Sequence, residues 1–362
     1  MQTILFLHSV GEIGGAERMS LVLIKHLPKD KFKCILACPH AGALIDAANE
    51  LNIETIIAPL HQPSIASPIH SMQQINRWRH LLKTNKIDWL HTADPFCTRS
   101  ILWASRLANV RVLCHFHFPF TKQVLGWIMR YQPKPTHAVF CSQELQVSTG
   151  VALAQIAPAV QQFVVHNGVD IEYFSSSCIP DNRVKRVGIV ANLQARKGHV
   201  DFLNMAKIII EKGYKVQFDI IGGDILETPR QPFLENLAVE LAIRDCVNFH
   251  GQVDNVKMRV GQLDIYVCAS HQEAFPVSIL EAMALQKTIV STDVNGIPEA
   301  IDDRKQGVLV AKQSPSALAD AVMLLLDKPC LADKYALAAR QKVESSFSLQ
   351  AYIDKFCKIY NQ

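Results

Sequence analysis

Short runs of apolar, β-type residues alternate along the chain with longer stretches in which apolar positions recur at helical spacing. In the first half, residues 3–8, 33–38, 88–92, 110–115, 136–141 and 163–166 read as strands, and the segments between them are long enough for helices. Parallel β-α-β units follow from this. The pattern then begins again: residues 186–192, 215–221, 246–250, 264–270 and 288–292 read as further strands, with helical periodicity over 199–212 and 234–243. Two successive doubly wound α/β domains are therefore predicted. Turn formers gather at His166-Asn167-Gly168-Val169-Asp170 and periodicity lapses over 175–182, which puts the domains at 1–168 and 169–347. Open α/β sheets bind ligands at the carboxyl ends of their strands, so two of them facing across a cleft make a natural nucleotide site. At the far end, Ser348 can cap a last helix, within 348–362, whose Tyr352, Ile353, Phe356, Ile359 and Tyr360 share a face. Core packing, back on the first domain, is the expectation for that stripe.

Composition adds limits. At 49% hydrophobic and 19% charged residues over 362, the chain is too apolar to be disordered and long enough for two domains. No apolar run approaches the roughly 18–20 residues of a membrane span, and Met1-Gln2-Thr3 lacks the basic start of a signal peptide, so a cytoplasmic protein is expected. Ten cysteines are scattered without a Cys-x-x-Cys pair and read as reduced packing residues. The net charge of +4 is unevenly placed: residues 60–134 hold ten basic side chains against two acids, Asp88 and Asp94. Two readings stand for this stretch, a solvated basic surface or a docking face for an anionic membrane or acceptor. The same stretch carries Phe116, Phe118, Phe120, Leu125, Trp127, Ile128 and Met129, which read either as core or as a contact with the inner face of a membrane.

Three segments can carry chemistry. The first strand runs into Gly11-Glu12-Ile13-Gly14-Gly15-Ala16-Glu17 ahead of a helical stretch. Glycines at such a place let backbone N–H groups approach a phosphate, although a plain tight turn uses the same residues. After strand 186–192 comes Leu193-Gln194-Ala195-Arg196-Lys197-Gly198-His199, which sets two cations between a strand end and a helix. That is a basic surface loop or a diphosphate site, where each charge-assisted hydrogen bond is worth roughly 1.5–3 kcal/mol. In the segment from Ser270 to Ala284, Glu273 sits at a strand end and Glu281 lies among Ile279, Leu280, Ala282, Met283 and Ala284. A buried carboxylate needs a partner, and sugar or ribose hydroxyls are suitable donors; a polar helix edge is the other reading.

Taken in order, Gly14-Gly15-Ala16-Glu17, the hinge His166-Asn167-Gly168-Val169-Asp170, Arg196-Lys197-Gly198, Glu273 and Glu281 with seven residues between them, and Thr288-Ile289-Val290-Ser291-Thr292-Asp293-Val294-Asn295-Gly296-Ile297-Pro298-Glu299 resemble glycosyltransferase family 4. The resemblance spans most of the chain. It implies the GT-B fold of two Rossmann-like domains, and retaining transfer of a sugar from a nucleotide-sugar donor. By resemblance, Arg196 and Lys197 neutralise the donor diphosphate, and Gly15 presents its backbone to the phosphates or the reaction centre. Glu281 holds the ribose hydroxyls, while Glu273 and the backbone of Phe275-Pro276-Val277 contact donor sugar and phosphate. His115 resembles the amino-domain histidine that touches the transferred sugar, with His117 two residues away. Two departures stand out: Gly222-Gly223-Asp224 replaces a more usual Gly-x-Gly, and Asn295 takes a place often held by glycine.

No Asp-x-Asp pair occurs, and no histidine or cysteine spacing suggests a metal, so a metal-independent hexosyltransferase without a cofactor is expected. The expected partners are a nucleotide-sugar, with UDP the first choice because it is frequent in the family, and a glycan or lipid-linked acceptor of cell-surface polysaccharide or lipopolysaccharide synthesis. Nucleic acid is not among them. Peripheral attachment through residues 60–134 is a further expectation. The competing readings are a sugar-nucleotide epimerase of the same architecture, a nicotinamide oxidoreductase, which lacks its glycine fingerprint, and a non-catalytic nucleotide-sugar-binding protein.

Overall fold

The computed structural model describes residues 1–175, 184–224 and 229–362, so most of the predicted hinge stretch 175–182 lies outside the described residues. The chain divides into two compact units, Met1–His166 with Tyr352–Gln362, and Asn167–Ala351. The second unit begins two residues earlier and ends four later than the predicted 169–347. Hydrogen bonds explain both shifts. Asn167 Nδ2 donates to the Phe275 carbonyl at 2.8 Å, and Leu349 N donates to the Val169 carbonyl at 2.9 Å.

The first unit is a parallel sheet of β1 (Gln2–Leu7), β2 (Phe32–Cys38), β3 (Glu54–Ile57), β4 (Trp89–Thr92), β5 (Arg111–Phe116), β6 (His137–Phe140) and β7 (Gln161–Val164), in the order β3-β2-β1-β4-β5-β6-β7. Its helices are α1 (Gly15–His26), α2 (Ala43–Glu50), α3 (Pro68–Thr84), α4 (Pro95–Ala108), α5 (Lys122–Met129), a short α6 (Gln143–Leu145) and α7 (Val151–Ile156). Central strands are buried on both faces, which is why β1 reads as a nearly continuous apolar run, and in β4 even His91 and Thr92 are buried. Strand β3 has no such run. It is a four-residue edge strand with half-exposed side chains, and the periodicity passes over it.

The second unit holds β8 (Lys185–Val190), β9 (Val216–Ile221), β10 (Val247–Phe249), β11 (Ile265–Cys268), β12 (Thr288–Thr292) and β13 (Val308–Val310), all parallel, in the order β10-β9-β8-β11-β12-β13. Helices α8 (His199–Glu211), α9 (Gln231–Glu240), α10 (Val256–Gly261), α11 (Val277–Ala284), α12 (Ile297–Ala300), α13 (Pro315–Asp327) and α14 (Pro329–Ser346) connect and cover it. Again the unpredicted strand, β13, is a short edge.

The final helix, α15 (Leu349–Tyr360), starts where Ser348 Oγ accepts from Ala351 N at 3.3 Å. Its stripe of Tyr352, Ile353, Phe356, Ile359 and Tyr360 is buried. Trp89 Nε1 donates to the Tyr360 carbonyl at 3.0 Å, which fixes the end of α15 to β4. The nine described cysteines are free. In the basic stretch, Phe116, Leu125, Ile128 and Met129 are core residues, which selects the core reading for these four over a membrane contact. Only Phe118 and Trp127 of the seven are exposed, with Phe120 intermediate.

Candidate functional site

In the second unit the strand ends of β8 and β11 bring one set of predicted residues together. Arg196 and Lys197 lie on a single 3-10 turn, Ala195–Lys197, directly before α8. Gly198 follows with φ +74, and a Cβ there would stand 1.8 Å from the Ala269 carbonyl oxygen. The cation loop therefore lies against the backbone after β11, as close as glycine permits. Across this contact Lys197 Nζ meets Glu273 Oε1 at 2.5 Å, while Ser270 Oγ donates to the same oxygen at 2.8 Å. Both members are largely buried, with side chains 17% and 8% exposed. A paired carboxylate of this kind holds a lysine in place. Arg196 Nε donates to Gln194 Oε1 at 3.0 Å.

Glu281 is buried within α11, whose first turn follows Phe275 and Pro276. Burial pushes the Tyr266 hydroxyl well up, and Cys268, Glu273 and Glu281 add to the shift, so both glutamates lie in its electrostatic neighbourhood. The Phe275 backbone is held through Asn167, and Val277 begins α11. Asn295 explains its departure from glycine: it has φ +45, and its side-chain oxygen accepts from Glu273 N at 3.3 Å. Asparagine tolerates the left-handed region better than most residues, and here it also steadies the glutamate loop. In the other departing motif, Gly222 has φ +137 with a Cβ position 2.1 Å from the Ala191 carbonyl oxygen, whereas Asp224 accepts from Arg230 N and Gln231 N ahead of α9.

Sequence reading missed the pair that ties the two loops together. His271 N donates to the Arg196 carbonyl at 2.7 Å, and His271 Nε2 meets Asp201 Oδ2 on α8 at 2.6 Å. Nothing in the spacing of 201 and 271 signals this, because the register of β8 against β11 sets it. Replacing His271 with alanine should raise the KM for donor about tenfold, given roughly 1.5–3 kcal/mol for a charged hydrogen bond, and leave α8 intact by circular dichroism. Unchanged donor KM in that variant would remove the positioning role.

The other predicted residues belong to the first unit. Gly15 opens α1, and a Cβ placed there would meet nothing within 4 Å, so the unit's own packing does not demand glycine. Glu17 accepts from Gly14 N at 3.0 Å and meets His8 Nδ1 at 3.4 Å. His115 lies on β5, where its Nδ1 pairs with His91 Nε2 at 3.1 Å; His91 Nδ1 in turn pairs with the Tyr360 hydroxyl at 2.6 Å. The His117 ring, just past the strand, lies 4.0 Å from that of His115. Burial pushes His117 down to about 4, with Glu17 opposing and His8 assisting. Burial also holds His91 and His115 well below the usual histidine range, with neighbouring histidines adding to it.

These rings are neutral in the folded unit. An unfolded histidine titrates near about 6.5, so below that pH the unfolded chain takes up protons that the folded one refuses. Stability is therefore full above pH about 6.5 and falls as pH drops towards about 4. Calorimetry from pH about 7 to about 5 should show a falling Tm, and a shallower fall for His117→Gln. A flat Tm over that window would contradict the neutral cluster. Among the described residues no group of three or more His, Cys, Asp or Glu could hold a metal ion.

Residues 13–173 match the family Glycosyltransferase Family 4, and residues 174–342 match the family Glycosyl transferases group 1. The chain is 24% identical over 370 residues to the UDP-Gal:alpha-D-GlcNAc-diphosphoundecaprenol alpha-1,3-galactosyltransferase of Escherichia coli, covering 96% of this chain and 94% of the relative. A glycosyltransferase of Rickettsia africae matches with TM-score 0.82 and 21% identity over 99% of this chain and 97% of that one. Anabaena HepE, in a complex with UDP and glucose, matches with TM-score 0.84 and 17% identity over all of both chains. At those identities the structural likeness concerns the fold, which is GT-B.

Proposed function

The chain belongs to glycosyltransferase family 4, and on that premise we propose that it moves a hexose from a UDP-sugar to a glycan or lipid-linked acceptor, with retention of configuration. The Lys197–Glu273 pair, held at the carboxyl end of the second sheet directly before α8, is the observation that carries this reading. Cleaving a sugar–diphosphate bond builds negative charge on the leaving oxygen, and a preorganised cation stabilises it without reorganisation at the moment of reaction. Lys197 and Arg196 take that role. Glu281 receives the ribose hydroxyls, Glu273 and the backbone of Phe275, Pro276 and Val277 the donor sugar and phosphate, and Gly15 offers its backbone N–H. His115, paired with His91, takes the contact with the transferred sugar, with the His117 ring 4.0 Å beside it.

In this reading the acceptor oxygen attacks from the face that the diphosphate leaves, and the acceptor's proton passes to the departing phosphate oxygen. No protein nucleophile takes part. Side-chain cations carry the diphosphate charge, so neither metal nor cofactor belongs to the proposal. The relative in Escherichia coli is named for a UDP-sugar donor and a diphosphoundecaprenol-linked acceptor, which supports the choice of UDP and of a lipid-linked glycan. A role in polysaccharide or lipopolysaccharide synthesis, by a protein on the inner face of the membrane, belongs to the same proposal. No helix among the described residues is long and apolar enough to cross a membrane.

A thermal-shift screen against UDP- and GDP-sugars tests the donor, since a ligand that binds only the folded form raises the melting temperature. One UDP-sugar should stabilise the protein, and proton NMR of the product should show the donor's anomeric configuration. Stabilisation by a GDP-sugar alone would replace the base. An inverted product would remove the mechanism.

A further inference from the structure

The outer side of α3, α4 and α5 has no role in the site described above, and it combines two properties that seldom share a surface. It is aromatic. Trp103 and Trp127 are 40% and 48% exposed and Tyr131 is 67% exposed, with Ile65 and Ile69 more exposed still. These side chains form one patch. The Phe96 ring lies 6.3 Å from that of Trp127, Arg99 stacks on Trp127 at 4.3 Å, and Trp103 Nε1 donates to the Tyr131 carbonyl at 3.2 Å. Gln62 Nε2 donates to the Phe96 carbonyl at 3.0 Å, which brings the loop carrying Ile65 beside α4. On α3, helical spacing puts Ile69, Met72, His80 and Lys83 on the side opposite the buried Trp78 and Leu82.

The patch is also basic. Lys83, Arg106, Lys122 and Arg130 are exposed around it. The two acids of the stretch are already engaged: Asp94 caps α4 through Phe96 N and Cys97 N and accepts from Ser9 Oγ, and Asp88 accepts from Thr3 N. Exposed apolar area of this kind needs a cover. A second copy of the chain would bring two basic faces together, which like-charge repulsion opposes. An anionic bilayer satisfies both properties. Tryptophan and tyrosine rings settle at the boundary between headgroups and acyl chains, and lysine and arginine reach the phosphates.

We propose that the outer face of α3, α4 and α5, centred on Trp103, Trp127 and Tyr131, seats the protein on an anionic lipid surface. This deepens the proposed function, whose lipid-linked acceptor resides in such a surface; it keeps Trp127 of the sequence reading and sets exposed residues in place of the buried ones.

The chain contains four tryptophans, of which Trp78 and Trp89 are buried, so intrinsic fluorescence reports on the patch. Wild-type protein should co-sediment at low salt with vesicles containing phosphatidylglycerol and not with pure phosphatidylcholine, with a blue shift of emission. Trp103→Phe with Trp127→Phe should abolish the shift, and Lys122→Gln with Arg130→Gln should weaken binding about tenfold or more. Failure to bind phosphatidylglycerol vesicles would overturn the proposal, as would binding without an emission change. Concentration-dependent dimerisation that W127S and Y131S abolish would assign the face to a second copy instead. All of these side chains are exposed, and stabilisation by a UDP-sugar should persist in every variant. Wild-type protein that ignores the vesicles yet responds to a UDP-sugar thus sinks the docking face alone, whereas absence of any donor response sinks the underlying glycosyltransferase reading.

Discussion

Lys197→Ala is expected to lower the rate of sugar transfer by about 100- to 1000-fold, the usual cost of removing one preorganised donor from a developing negative charge. The variant also strands Glu273, whose Oε1 then keeps, among the described residues, the Ser270 hydroxyl. Breaking a buried pair from one side costs about 3–5 kcal/mol at full burial, so the melting temperature should fall as well. The double variant Lys197→Met with Glu273→Gln separates the two effects. It removes the orphaned charge and should recover much of the melting temperature, yet transfer should stay low. Turnover close to wild type in either variant would remove Lys197 from the chemistry and take the proposed mechanism with it.

Gly198→Ala should be the most damaging small substitution in the second unit. Its backbone lies at φ +74 and the new Cβ would fall 1.8 Å from the Ala269 carbonyl oxygen, a rigid neighbour that cannot swing aside. Left-handed strain alone costs about 1–3 kcal/mol, and the clash forces the Arg196–Lys197 loop off the end of β11. Gly213→Ala provides the matched control. It has φ +85, but no atom stands within 4 Å of its Cβ position, so it bears the strain without the clash. Denaturant titrations should show Gly198→Ala clearly less stable than Gly213→Ala and deaf to UDP-sugars. Equal stability for the two would mean that the loop does not depend on its approach to β11.

Where the second unit's candidate residues fall on its elements was legible in the sequence. Arg196, Lys197, Glu273 and Glu281 lie at strand ends or just inside helices, and the order of these motifs along the chain carried the family resemblance. What escaped was contact between distant segments. The His271–Asp201 pair joins residues 70 apart in sequence, and Asn295 reaches Glu273 across 22. Neither type nor spacing marks such partners, because strand register selects them. On the amino-terminal side, the sequence resemblance singles out His115, while His117 follows just past the end of β5. Their environments differ, since His115 is tied to His91 and His117 lies nearer Glu17.

The alternation of apolar runs and helical periodicity was enough to determine two parallel, doubly wound units, because central strands must be apolar on both faces. Edge strands β3 and β13 escape that demand, and only hydrogen bonding to a neighbour reveals them. Composition likewise located an excess of positive charge between 60 and 134. It could not say which aromatic residues accompany that charge at the surface, since Met129 and Trp127 are both large and apolar in sequence. Helix packing decided it, turning Ile128 and Met129 into the core and leaving Trp127 and Tyr131 outside. A side chain's chemical type is local, but its burial depends on which segments fold against it.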